Sequence, residues 1–153
     1  MQLSEPATPS DALAAVAGTA PLTVVFRVPI ARVQTAQRFV DVEPDVPSAA
    51  ALANAQGRAE QAAAADAGRL ADRAGAVARA EASALASPGC RCVLAVLVEG
   101  DGAALRAVAA RAGVRAVDAA PPGTVAPALA PLLPEQTVRA DPPPDDGPVP
   151  AVP

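Results

Sequence analysis

Cys90-Arg91-Cys92-Val93-Leu94-Ala95-Val96-Leu97-Val98 is followed at once by Glu99-Gly100-Asp101-Gly102, and the run closes on Gly113-Val114-Arg115-Ala116-Val117-Asp118-Ala119. The first block is the most hydrophobic segment of the chain and predicts a strand. Asp101 fits the N-cap of a helix over residues 102–112. In that helix Leu105, Val108, Ala109 and Ala112 recur at i, i+3, i+4 and i+7, while Arg106 and Arg111 point away. Gly113 suits the position just past the helix end, with Val114 making the hydrophobic contact of a Schellman cap. Residues 114–119 predict a further strand, and Pro121-Pro122-Gly123 ends the regular structure. The unit is strand–helix–strand.

Upstream, Leu22-Thr23-Val24-Val25-Phe26-Arg27-Val28 predicts the first strand, ended by Pro29. A short helix or turn is expected over residues 31–39, and Pro44 and Pro47 mark a break. From Pro47-Ser48 to about Ser87 the chain is alanine-rich, with high helix propensity throughout. One unbroken helix of that length would measure about 60 Å. Gly57, Gly68 and Gly75 are the candidate breaks, which favours two helices folded back on each other over a single projecting arm. Leu52, Leu70, Val77 and Leu85 do not sustain a heptad, which argues against a coiled coil.

The expected order is β-α-β-α-β, an α/β (α+β) class best matched by a small ferredoxin-like sandwich with a long Ala-rich helical segment. The ordered domain is expected over residues 21–120, with the helical insert at 48–87. Residues 1–20 and the Pro-rich tail 121–153 are poor in large apolar side chains and are expected to be disordered.

Composition limits both the core and the chemistry. Of the 153 residues 52% are hydrophobic, but most of these are alanine, and Phe26 and Phe39 are the only aromatics. Alanine buries little area, so a thin core is expected. There is no His, Tyr, Trp or Lys. That removes Ser-His-Asp and Cys-His catalysis, imidazole metal sites, Schiff-base chemistry and tyrosine acids. Net charge is −4 with the signs mixed. Without a basic stripe or stacking aromatics, no nucleic-acid partner is expected. The longest apolar run is too short to span a bilayer, and the first residues do not read as a secretory signal. As written the chain is expected to be cytoplasmic, or extracytoplasmic if its start lies upstream.

Few side chains are left for a site. Cys90 and Cys92, one residue apart on a strand, share a side opposite Arg91. They read as buried small apolar groups, as a redox or disulfide pair, or as half of an intersubunit metal site. A disulfide across one residue would be strained and readily reduced. Asp41, Glu43 and Asp45 alternate in a proline-containing loop but complete no calcium pattern, so a solvated acidic loop is the plainer reading. Asp66, Arg69, Asp72 and Arg73, with Arg79 and Glu81, read as a solvated helical face. Pro142-Pro143-Pro144-Asp145-Asp146, with Pro148 and Pro150 beyond, reads as an extended linker or tail, with a docking peptide as the alternative. The predicted strand 90–98 is apolar on both sides. Val93, Ala95 and Leu97 form its candidate interaction face, the alternative being a central strand covered on both sides.

The segments Val96–Gly100, Leu105–Ala109 and Gly113–Asp118 together resemble the closing half of ferredoxin-like modules. These occur in extracytoplasmic regions of membrane-anchored anti-sigma-type and uncharacterised proteins of high-GC bacteria. A similar ending occurs in propeptide-like inhibitor domains of subtilisin-type proteases. The resemblance covers about residues 92–119 and implies a regulatory or sensory module.

The sequence therefore points to a non-catalytic protein-interaction or regulatory module without cofactor or metal. Its expected partner is another protein, or a second copy bound through the sheet face. The alternative is a thiol-redox protein using Cys90 and Cys92. An enzyme working through carboxylates and backbone alone is the third and least supported class.

Overall fold

The computed structural model describes residues 1–121 and 144–152 of the chain. Its order is β1 (Gln2–Ala7), α1 (Pro9–Ala15), β2 (Ala20–Phe26), β3 (Arg38–Asp41), α2 (Ser48–Arg69), α3 (Asp72–Leu85), β4 (Val93–Glu99), α4 (Gly102–Ala109) and β5 (Val114–Ala116). The protein is α+β. Five strands form one sheet in the order β3-β2-β4-β1-β5, and every neighbouring pair is antiparallel. β4 therefore lies between β1 and β2, which run parallel to each other and are joined through α1. The connections β1-α1-β2 and β3-α2-α3-β4 are both split β-α-β units.

The strand–helix–strand unit at 90–119 is present as β4-α4-β5. The Asp101 carboxylate accepts from the amides of Ala103 and Ala104 at 2.9 and 2.8 Å. Gly113 adopts φ of 84°, the left-handed conformation its position past the helix requires. The alanine-rich stretch is a helical hairpin, but its break falls at Leu70–Ala71 and not at a glycine. Gly57 and Gly68 lie inside α2. Gly75 lies inside α3, where a Cβ would collide with the Leu70 carbonyl oxygen, so its smallness serves the tight turn between the two helices.

Two expectations are corrected. Residues 1–20 are not outside the fold, because they supply β1 and α1. β1 has only Leu3 as a large apolar residue in the core, and its strand character comes from hydrogen bonding to neighbours on both edges. Val96 N donates to the Met1 carbonyl at 3.0 Å, and Ser4 N donates to the Gly113 carbonyl at 2.9 Å. Of the short helix or turn expected over residues 31–39, only a turn at 31–32 forms, and residues 38–41 are β3, paired with β2 from Thr23↔Asp41 to Phe26↔Arg38.

The core joins one face of the sheet to α1 and α2. Leu3, Val24, Phe26, Val93 and Val96 meet Ala12 and Val16 of the α1 region and Leu52, Ala55, Ala59 and Ala63 of α2. With alanine at the contact, backbones approach closely and each residue contributes little transfer energy. Charged contacts hold the rest of the helical layer. Arg38 of β3 reaches Glu81 of α3 at 2.7 Å and Asp66 of α2 at 2.8 Å. Glu81 also accepts the Ala36 amide at 2.6 Å. Glu81 was expected on a solvated face, yet only 2% of it is exposed. Its charge is satisfied by a partner 43 residues away, which helical spacing could not reveal.

Removing Glu81 leaves Arg38 paired with Asp66 alone and the Ala36 amide without its acceptor, which costs less than the roughly 3–5 kcal/mol of a buried charge left wholly unpaired. Glu81→Ala should therefore lower the unfolding free energy by about 1–3 kcal/mol in urea titration, and Glu81→Gln, whose side-chain oxygen can still accept the Ala36 amide, by less.

Candidate functional site

Cys90 and Cys92 lie between α3 and β4 and are joined by a disulfide, with their Cα atoms 5.4 Å apart. Cys92 is fully buried and Cys90 is 9% exposed. Both belong to the hydrophobic core. The Cys92 carbonyl accepts from Arg27 N at 2.7 Å, which extends the β2–β4 ladder, and Cys90 N donates to the Ser87 carbonyl at 3.0 Å. Arg91 projects outward, 4.0 Å from the carboxylates of Glu5 and Asp11. Among the described residues no group of three or more acidic or sulfur side chains is placed to hold a metal ion.

The candidate interaction face is not one surface. Along β2 the partners in β4 step from Ala95 opposite Val25 to Val93 opposite Phe26, leaving Leu94 as an extra residue. This β-bulge breaks the alternation on which the face was read. Val93 joins Val96 in the core, Ala95 is 4% exposed on the other side, and Leu97 is half-buried. Phe39, directly across from Val25, is half exposed on that second side.

A groove of about 880 Å³ opens instead between α1, α2 and the end of α3. Leu13, Leu52 and Leu85 supply its large apolar side chains. Ala14 and Ala17 line one wall, and Ala49, Ala53 and Gly57 line the other. Ser10, Gln56 and Glu60 are the polar side chains lining it. The Gln56 amide is already engaged, donating to the carbonyls of Leu85 at 2.6 Å and Ser87 at 2.7 Å. The groove is not legible in the sequence, because residues 1–20, which supply its first wall α1, are too poor in large apolar side chains to read as part of a fold. A local signal for α1 exists in Thr8-Pro9-Ser10-Asp11: the Thr8 hydroxyl accepts the Asp11 amide, and Pro9 opens the helix. Arg111 closes the other end by donating to the Ala15 and Ala17 carbonyls, each at 2.7 Å.

The acidic loop is likewise engaged. Glu43 accepts from Asn54 at 2.9 Å and Arg58 at 2.7 Å, tying the loop to α2. The Asn54 hydrogen bond leads in holding its carboxyl below the usual range.

A second built feature lies at the C-terminal segment. Part of the expected disordered tail, residues 122–143 and 153, falls outside the described residues. Asp145, Asp146 and Gly147, however, are docked onto the loop after β2 and onto α3. Arg32 Nε donates to Asp146 at 2.7 Å, and the Gln34 amide donates to Asp145 at 3.0 Å. Gly147 N donates to the Arg32 carbonyl at 2.8 Å, and Arg73 donates to the Gly147 carbonyl at 2.9 Å. Composition could not foresee this, because every partner is more than 70 residues distant. Arg73, read as part of a solvated face, is one of these partners. The Arg32 hydrogen bond holds the Asp146 carboxyl below the ordinary range, and the Gln34 amide, then Arg73, does the same for Asp145.

No family model, curated protein or solved structure matches the chain. Among the described residues no helix is long and apolar enough to cross a membrane.

Both aspartates titrate lower when docked, so the docked state is favoured above about pH 4, the ordinary aspartate value. It is lost as pH falls through the depressed range below that. The Gly147 amide resonance should therefore stay constant from neutral pH down to about pH 4 and shift only beneath it; movement centred near pH 6 would contradict the assignment.

Proposed function

We propose that the chain is a non-catalytic protein-interaction module whose binding surface is the groove between α1 and α2, and that its occupant is an apolar segment of a partner protein. The observation that carries this reading is the lining of the groove. Its volume falls within the roughly 300–1,000 Å³ typical of binding sites. Small residues on both walls let a second backbone approach closely, and half-buried Leu13 offers it apolar contact above a floor formed by buried Leu52 and Leu85. Of its polar side chains, Ser10 is hydrogen-bonded to Thr8 and Gln56 to the carbonyls of Leu85 and Ser87. The sheet face offers a partner less, because the bulge at Leu94 divides it.

The test is a photo-reactive residue in place of Ala53, which lies exposed in the groove, with the same residue in place of Ala62, exposed elsewhere on α2, as the comparison. The expected result is one discrete protein adduct from position 53, abolished by Ala49→Glu, and none from position 62. Equal adducts from both positions, or none from position 53, would remove the reading.

A thiol-redox role is the second reading, favoured by the bond between Cys90 and Cys92. Its test is the double variant Cys90→Ala/Cys92→Ala. If the bridge is structural, stability falls by about 1–2 kcal/mol, as expected for a very short closed loop, and the position-53 adduct is unchanged. An adduct that disappears in this variant, or in wild type treated with a dithiol, supports the redox reading instead.

A further inference from the structure

We infer that the surface formed by Arg32, Gln34 and Arg73 is a recognition site for an extended Asp-Asp-Gly peptide, filled here by the chain's own Asp145–Gly147 and able to take the same segment from a second copy of the chain. Three features make it a selective site and not a chance contact.

The first is one-to-one chemistry. Asp146 meets the Arg32 guanidinium through both carboxylate oxygens. Asp145 meets a main-chain amide at 3.0 Å and Arg73 at 3.4 Å. Each aspartate thus has its own cation, and the pairing of Arg32 with Asp146 has the two-pronged geometry that arginine provides and lysine cannot.

The second is backbone readout. Gly147 donates to one side of the site and accepts from the other. Its position is buried, and a Cβ there would strike the Ala31 carbonyl oxygen and lie 2.9 Å from Arg32 Cβ. Only glycine fits. The peptide is therefore selected for its third residue as well as for its charges.

The third is the conformation of the site. Arg32 has φ of 56°, a left-handed backbone that a non-glycine residue adopts at a cost. In this conformation the same residue presents its carbonyl to Gly147 and its guanidinium to Asp146.

The contacts are suited to exchange. Arg32 and Asp146 are 60% and 63% exposed, and ion pairs this exposed contribute little net stability. Any second copy carries both the complementary charges and the glycine. Swapping an identical element between protomers makes the same contacts twice and needs no new surface.

The experiment uses two full-length variants. Gly147→Ala keeps the site but disables the segment. Arg32→Ala/Arg73→Ala keeps the segment but disables the site. The readout is the Gln34 amide resonance of isotope-labelled Gly147→Ala, which should first differ from wild type because the segment has left. Unlabelled Arg32→Ala/Arg73→Ala chain should return that resonance toward its wild-type position saturably, as should the peptide Pro-Pro-Asp-Asp-Gly-Pro-Val-Pro. The peptide with alanine for glycine should not. Labelled wild type should respond at least about tenfold more weakly, because a tethered competitor acts at an effective concentration of order 1 mM.

A Gln34 resonance unchanged by Gly147→Ala would overturn the glycine requirement. No response to the glycine peptide, or equal response to both peptides, would overturn the site. Response to the peptide but not to the second chain would overturn exchange between copies and leave the site purely intramolecular. None of these outcomes bears on the α1–α2 groove, so the two readings stand or fall separately.

Discussion

The pairing of β4 along both edges is the constraint on which the rest of the molecule depends. Val93, Leu94, Ala95 and Val96 are all buried, so this strand has no polar face to give to water and its main-chain groups must find partners within the protein. β2 supplies one edge and β1 the other. Because β1 is the only strand between β4 and β5, the first residues of the chain are structural, although their composition suggests otherwise. The bulge at Leu94 interrupts the β2 ladder at one residue and turns Val93 toward Phe26 and the helices while Ala95 faces the other side.

Alanine shapes the helical layer laid over this sheet. A helix that buries Ala51, Ala55, Ala59 and Ala63 sits close to its neighbours but gains little from burial. Polar bonds between distant segments make up for this. Arg38 joins β3 to α2 and α3 through Asp66 and Glu81, Gln56 ties α2 to the carbonyls after α3, Arg58 draws the acidic loop onto α2, and Arg111 caps α1. The same small side chains leave the groove beside α1, where Ala49, Ala53 and Gly57 make a wall with almost no relief.

The C-terminal segment belongs to the same pattern of long-range polar contacts, but it differs in exposure. Glu81 and Arg38 are shielded from water, whereas Arg32 and Asp146 are mostly in it. The first pair therefore fixes architecture, and the second holds a segment that can be released without disturbing the core. Gly147 gives this contact its selectivity, since shape restricts the site more than charge does.

What the sequence determined by itself was local. The helix from Gly102 with its Asp101 cap, the turn at Gly113, the strand before that helix and the helical character of residues 48–87 all follow from residues within a few positions of one another. Hydrophobic period, capping chemistry and propensity act over that range. The α+β class followed from those elements. Tertiary structure alone decided the rest. β1 is a strand because β4 and β5 offer it hydrogen bonds. Glu81 is buried because Arg38 lies opposite. Val93 and Ala95 part company because a bulge intervenes. Asp145 and Asp146 dock because Arg32 and Arg73 are folded to meet them. The groove exists only once α1 is placed against α2. Each depends on partners distant in sequence, and single-residue chemistry carries no record of which distant residue the fold will bring alongside.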